Sequence, residues 1–265
     1  MDKKYNIYLK IGTILTAVIV LLAIVGAVWT PYDPNAMQQS ARFAGVSFRH
    51  PMGCDNFGRD VLSRVMKGCG NTLVVALGTV ALGSFFGMIV GALTGYFGGL
   101  LDETLMRIND VIFAFPSILL ALVFVSIFGS GKYRVILALG IAFVPSFARI
   151  VRGEFMKCRE MDYVKNARLQ GASHLRIVFL HILPNIRGVF LSSLMIGFNN
   201  AVLAEAGMSY LGIGVQPPNA SLGRMLSEAQ SYLVSAPAYA LFPGVMLILM
   251  ILGFALMGAG LERRN

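Results

Sequence analysis

The sequence predicts an all-α integral membrane protein with six transmembrane helices, both termini inside (N-in/C-in), and a helical loop on the cytoplasmic side. Three observations carry this. Hydrophobic residues make up 56% of the 265 and charged residues only 13%, about half the charged share of an average soluble chain. A soluble domain of this length needs more polar surface than that. Mean hydropathy is +0.71. The charges are also grouped, leaving charge-free runs at Ile11–Tyr32, Gly68–Leu101, Val111–Gly131, Val135–Ala148, Gly188–Ala204 and Ala229–Leu261. A cytosolic enzyme, a disordered tail and a disulfide-held mini-protein are excluded.

A spanning helix needs about 20 mostly apolar residues. The first run, 22 residues after Lys3, Lys4 and Lys10, exceeds the apolar core of a signal peptide and reads as an uncleaved anchor. The second, third and sixth runs suffice by length. Val135–Ala148 is short, but Arg149 and Arg152 can snorkel to the interface and extend it. Gly188–Ala204 continues through Glu205 to about Leu211. Two segments outside the spans are long: Pro31–Lys67 and Arg149–Arg187. A third, Gly207–Pro237, carries Pro217-Pro218 as a turn. The chain divides into 1–70, an N-terminal span with an extracytoplasmic loop, and 71–265, a five-span core with its cytoplasmic loop at 149–187.

Lysine and arginine set the orientation, because cytoplasmic loops carry the excess of basic residues. With the N-terminus inside, 14 of the 22 basic residues lie inside, including Lys3, Lys4, Arg263 and Arg264. Eight fall in Arg149–Arg187, against Glu154, Glu160 and Asp162. The net charge of +9 then reflects loops facing anionic lipid, not nucleic acid.

The cytoplasmic loop predicts a helix ending near Gln170, a break at Gly171-Ala172-Ser173, and a second helix capped by Ser173. Pro184 should break or kink the chain where it re-enters the membrane. The result is an elbow that either docks in a groove of a cytoplasmic partner or lies on the lipid surface.

In the outer loop, Asp55, Arg59 and Asp60 either contact a partner over the external mouth or form an internal ion pair that fixes the loop. Glu205, near the outer end of the fifth span, either lines a pathway or caps a helix. Asn199 and Asn200 lie one to two turns below it and either line a polar passage or bond a neighbouring helix. Cys54, Cys69 and Cys158 lack metal-ligand spacing, although a Cys54–Cys69 bridge stays open. The 14 methionines suit core filling better than soft-metal binding. The three histidines are dispersed, so no metal site is expected. There is no Gly-x4-Gly-Lys-Ser/Thr loop, so this chain should not hydrolyse ATP.

Two motifs carry a family resemblance. Ala167, Gly171, Leu183 and Pro184 fall on the Glu-Ala-Ala-x3-Gly-x9-Ile-x-Leu-Pro loop of ATP-binding-cassette importer permeases. Lys165 and Asn166 replace the Glu and first Ala, and His181 replaces the Ile. The run His50-Pro51-Met52-Gly53-Cys54-Asp55-Asn56-Phe57-Gly58-Arg59-Asp60-Val61-Leu62-Ser63-Arg64 resembles the signature of the second permease of dipeptide, oligopeptide and nickel importers, with Cys54 where Thr is usual. Gly95–Gly99 with Asp102, Arg107 and Asp110, Phe115-Pro116, Ala204–Pro218 and Phe242-Pro243-Gly244 match further. Gly207-Met208-Ser209 is more similar to nickel-type members. The last span lacks the Asn and Asp often found near Ala255 and Ala259, and no Leu-Asp-Pro tail follows before Asn265.

The resemblance implies a permease subunit that imports short peptides or nickel, free or chelated, by alternating access in the cytoplasmic membrane of a prokaryote. It implies as partners a homologous second permease, two ATP-binding subunits that hold the ATP and Mg, an extracytoplasmic substrate-binding protein, and membrane lipid. Coupling to the ATPase would fall to Lys165, Ala167, Gly171, Ala172, Leu175 and Arg176. The alternative is a stand-alone carrier or channel driven by an ion gradient. It would need intramembrane ionisable residues, for which only Glu205 is a candidate.

Overall fold

The computed structural model describes residues 3–262. Arg263 and Arg264 lie outside them, as do the side chains of Lys3 and Lys4. Among the described residues nine helices carry the fold: α1 (Lys3–Val28), α2 (Val61–Phe97), α3 (Gly99–Phe113), α4 (Ser117–Phe128), α5 (Lys132–Arg159), α6 (Asp162–Leu169), α7 (His174–Tyr210), α8 (Leu222–Ala229) and α9 (Pro237–Glu262). Among the described residues the only strand-like pairing is an isolated bridge between Cys54 and Asp60. We call the end of the bundle that carries residues 31–60 the loop end, and the end that carries α6 the elbow end.

Five helices are long and apolar enough to cross a membrane: α1, α2, α5, α7 and α9. The sixth expected span is a bent pair. α3 and α4 meet at 88°, and the break at Ala114–Pro116 falls inside the expected run Val111–Gly131. Proline disfavours helical backbone in the residue before it, and Pro116 is extended with ψ 128°. α4 alone has 12 residues, which rise about 18 Å against a hydrocarbon core of about 30 Å. α3 carries Asp102, Glu103, Arg107 and Asp110 and buries only Asn109.

α2 is 37 residues long and packs along α5 in the most extensive helix pair of the fold. The cause is a small-residue stripe at every fourth position. A Cβ on Gly83, Gly87, Gly91 or Gly95 would stand 2.5–2.9 Å from Phe143 Cβ, Phe147 Cβ, Ala148 O or Arg152 O. Only glycine lets the two backbones approach this closely. The boundary expected at residue 70 falls inside this helix. The short run Val135–Ala148 proves to be the middle of the 28-residue α5, which extends through Arg149 and Arg152 to Arg159.

α7 bears on the break or kink expected at Pro184. Pro184 does not break the chain, and one helix runs from His174 to Tyr210. Residues Ile177–Ile182 form a π-helical turn just before the proline. Proline lacks an N–H and its ring crowds the carbonyl four residues back, and a wider turn relieves both. Asn185 Nδ2 donates to His181 O at 2.5 Å, which satisfies one carbonyl in that turn. The last span also starts later than expected: Ala229 ends α8, and α9 opens at Pro237, a position where a missing N–H costs nothing. All three cysteines are free, so no Cys54–Cys69 bridge forms.

Candidate transport site: elbow, outer loop and hollow

The elbow is built from local chemistry. Gly171 adopts φ +79°, a left-handed conformation that suits glycine. Gly171 N donates to Arg168 O and Ala172 N to Ala167 O, both at 3.0 Å. This pair of bonds closes the end of α6 as a Schellman motif. Two residues later Ser173 Oγ accepts from Arg176 N at 3.4 Å and opens α7. The elbow then rests on a small apolar cluster in which Val164 and Ala167 pack with Tyr96, Phe155, Ile177 and Ile182. Tyr96 Oη and His174 Nδ1 are 2.9 Å apart, and Arg159 Nη1 donates to Tyr96 O at 3.4 Å.

The six residues expected to couple this loop therefore divide. Lys165, Gly171, Leu175 and Arg176 are exposed, Ala172 is half-buried, and Ala167 is buried beneath them. Beside the elbow, Arg152 holds Asp102 through two bonds of 2.6 and 2.7 Å. Arg149 meets Asp110 at 2.7 Å. These pairs tie α5 to α3.

The loop over 31–60, the outer loop of the expected topology, folds around buried charge. Asp55 Oδ1 accepts from Phe57 N and Arg59 N at 2.8 and 2.9 Å, and its Oδ2 accepts from Arg59 Nε at 2.5 Å. Glu228 of α8 lies at the centre. Its Oε2 accepts from Arg59 Nη2 at 2.8 Å, Arg64 Nη2 at 3.1 Å and Tyr239 Oη at 3.2 Å, and its Oε1 from Arg224 Nε at 3.2 Å. Asp55, Arg59 and Arg64 are each under 5% exposed. Burial pushes the Glu228 carboxyl up, but Arg64, Arg59 and Arg224 outweigh it and hold it below its ordinary value. Burial likewise lowers Arg59, and Asp55 and Glu228 more than restore it. The Cys54 thiol is pushed up to about 11 by burial and by Asp60 and Asp55, so it is protonated at neutral pH.

The internal pair expected in this loop is present as Asp55–Arg59. Asp60 stands apart from it. Its Oδ2 accepts from Ser63 N at 2.8 Å and caps α2, while Oδ1 lies 2.9 Å from His50 Nδ1. Sequence reasoning missed Glu228, which lies 169 residues from Arg59 along the chain. No spacing rule connects the two. The one available signal is the lone carboxylate of the segment 207–237, four residues after its lone cation Arg224.

The pathway candidates also separate. Asn200 lines an open hollow of about 260 Å³ with Ser117, Ser146, Ile118, Phe143 and Leu203. It sits beside the α3–α4 break, at the middle of α5 and in the last third of α7. Asn199 is half-buried, and its Oδ1 has no hydrogen-bond partner. Glu205 is fully buried and off the hollow. Ser209 Oγ donates to its Oε1 at 2.6 Å, and Ser209 Oγ in turn accepts from Val215 N at 3.0 Å. Met208 is also fully buried, so the side chain behind the nickel-type match faces the core.

Comparison with known proteins follows the same architecture. Residues 83–265 match the family model described as the binding-protein-dependent transport system inner membrane component. The glutathione transport system permease protein GsiD of Pectobacterium atrosepticum is 39% identical over 248 residues, covering 92% of this chain and 82% of that protein. The dipeptide transport system permease protein DppC of Alkalihalophilus pseudofirmus is 36% identical, covering 98% and 85%. A putative peptide transport system permease of Brucella suis is 40% identical, covering 96% and 85%. Among solved structures, an inward-facing form of the MetNI methionine ABC transporter shares the fold at a TM-score of 0.64, with 20% identity over 76% of this chain and 95% of that one. The chain thus belongs to the binding-protein-dependent transport system inner membrane component family, as an ABC importer permease of the peptide type that crosses the bacterial inner membrane several times.

Proposed function

We propose that this chain, paired with a second homologous permease, imports short peptides by alternating access. Two ATP-binding subunits would power it, and an extracytoplasmic binding protein would deliver the substrate. The elbow is the observation that carries this reading. The elbow exposes Lys165 on α6 and Leu175 and Arg176 on the first turn of α7, while Ala167 beneath joins α6 to the base of α7 through one apolar cluster. A push on α6 therefore reaches a continuous helix that carries Asn200 to the hollow. In this reading the elbow end faces the cytoplasm, where the basic residues concentrate, and the outer loop faces the binding protein. Substrate would pass the polar edge formed by Asn200, Ser117 and Ser146. ATP and Mg would be held by the partners.

Peptide is favoured over nickel because the relatives above are named for glutathione, dipeptide and peptide transport. A gradient-driven carrier would need a relay through the membrane, and Glu205 instead bonds Ser209 within its own helix. The test is the four-subunit complex in proteoliposomes with a binding protein, assayed for ATP hydrolysis and for uptake of labelled dipeptide, glutathione and a nickel chelate. Peptide uptake is expected. Gly171→Pro should leave ATP hydrolysis in place and lower uptake by about tenfold or more, since proline cannot adopt the left-handed turn. Undiminished uptake by that variant would remove the elbow from the mechanism. Uptake of the nickel chelate alone would replace the substrate.

A further inference from the structure

We propose that the groove between α1 and α2 at the loop end binds an anionic phospholipid, with one acyl chain in the groove and its phosphate between Lys67 and Lys132. The groove holds about 440 Å³ and its walls are Val20, Ala23, Ile24, Leu73, Val74 and Leu77, with Phe254 behind. Two half-buried lysines and Asn71 are the polar part of its lining. Lys67 Nζ donates to Ala27 O at 3.1 Å, and Lys132 Nζ to Asn71 Oδ1 at 3.3 Å. Among the described residues no carboxylate pairs with either ammonium. Both charges thus keep their full attraction for an external anion. Lys132 is also the first residue of α5, whose first turn holds no acidic side chain, so the positive end of that helix adds to the same field.

The length of the groove identifies the occupant. Along α2 its lining runs from Lys67 to Leu77, a rise of about 15 Å, which is one leaflet of a hydrocarbon core about 30 Å thick. Cations at one end and a single-leaflet apolar wall below them match a phospholipid with a net negative headgroup. A free phosphate would use the lysines and leave the wall empty. A peptide substrate would need polar groups along the wall, and the six residues that form it supply none.

Native mass spectrometry of the purified whole complex, delipidated and then titrated with phosphatidylglycerol or phosphatidylcholine, tests this. One phosphatidylglycerol per copy of this chain should be retained in preference to phosphatidylcholine. A lysine near the membrane surface is worth about fivefold in anionic-lipid affinity, so Lys67→Gln with Lys132→Gln should weaken retention by about 25-fold. Val74→Trp fills the groove from an exposed position and should also release the lipid with both lysines intact. Equal retention of the two lipids, or a double-lysine variant that binds as the parent does, would overturn the proposal. So would release of phosphatidylglycerol by millimolar inorganic phosphate with Val74→Trp without effect, which marks a free-anion site. A Val74→Cys thiol shielded from a maleimide in the delipidated complex, beyond the parent's background, would mean that a partner subunit fills the groove, and overturns it as well.

Discussion

The outer loop and the elbow solve the same problem, holding a turn of chain rigid at a membrane surface, by opposite means. The outer loop uses charge. Asp55, Arg59 and Arg64 are buried against the half-buried Glu228, and each depends on the others for hydrogen bonds or charge pairing. The elbow uses backbone geometry. One left-handed glycine, one serine cap and one apolar cluster fix it, while its charged residues stay in water. Buried charge is unforgiving, because removing one member strands the rest. Backbone geometry and exposed charge degrade gradually. The difference suits the proposed roles, in which the loop keeps one shape and the elbow transmits a push.

The largest effect should come from Glu228→Ala. It leaves Arg59 and Arg64 buried with Asp55 as the one carboxylate left to them, and losing a partner from a buried pair costs about 3–5 kcal/mol. Limited proteolysis of the complex should cut the 31–60 loop of this variant at conditions where the parent resists. A variant loop as resistant as the parent's would show that the charges are incidental to its rigidity.

Acid should produce a milder form of the same loss. The Glu228 carboxyl is held below its ordinary value by the surrounding arginines. Its contribution is therefore complete above the ordinary carboxylate value and drains as the pH falls through the lower folded value. Loop protection should be level from about pH 8 to pH 5 and weaken below about pH 4. A loss of protection at neutral pH would contradict this direction.

At the elbow, Gly171→Ala places a side chain at φ +79°, a strain of about 1–3 kcal/mol. Peptide uptake in proteoliposomes should fall severalfold with the melting temperature of the complex almost unchanged. The smallest effect is that of Ser173→Ala, which deletes the cap on α7 for about 1 kcal/mol. Hydrogen exchange at Arg176 N, the amide it bonds, should quicken while α2 exchange stays as before. If both elbow changes destabilise the complex as much as Glu228→Ala, the contrast between the two regions disappears.

Much of this was legible in the sequence, for reasons that differ by region. Long charge-free runs mark α1, α2 and α9, and the shorter runs Val135–Ala148 and Gly188–Ala204 mark the apolar middles of α5 and α7, since burial in lipid leaves no alternative to apolar helix. Gly171 and Ser173 marked the elbow because turn and cap chemistry act between near neighbours. The i,i+4 spacing of Asp55 and Arg59 allowed their pairing. What stayed hidden depends on distance or on competition between local rules. Glu228 reaches Arg59 only through the packing of α8 against the loop. Pro184 forecasts a break or a kink, and the helix runs on through a π turn at 177–182. Phe115-Pro116 marked a break that the apolar run Val111–Gly131 concealed. Glu205 reads either as a pathway carboxylate or as a helix cap, and its bond from Ser209, one turn later in the same helix, follows from neither.

The glycine stripe of α2 has a thermal consequence. In a soluble core, cohesion comes largely from releasing water off apolar surface, which gives unfolding a large heat capacity and lets the core loosen on cooling. Separating α2 from α5 inside a bilayer would wet almost nothing. Their cohesion rests on close backbone packing along Gly83, Gly87, Gly91 and Gly95, and that attraction carries little heat-capacity change. The central pair of this permease should therefore have a nearly flat stability curve, and chilling the membrane would slow its lipids before it loosened this seam.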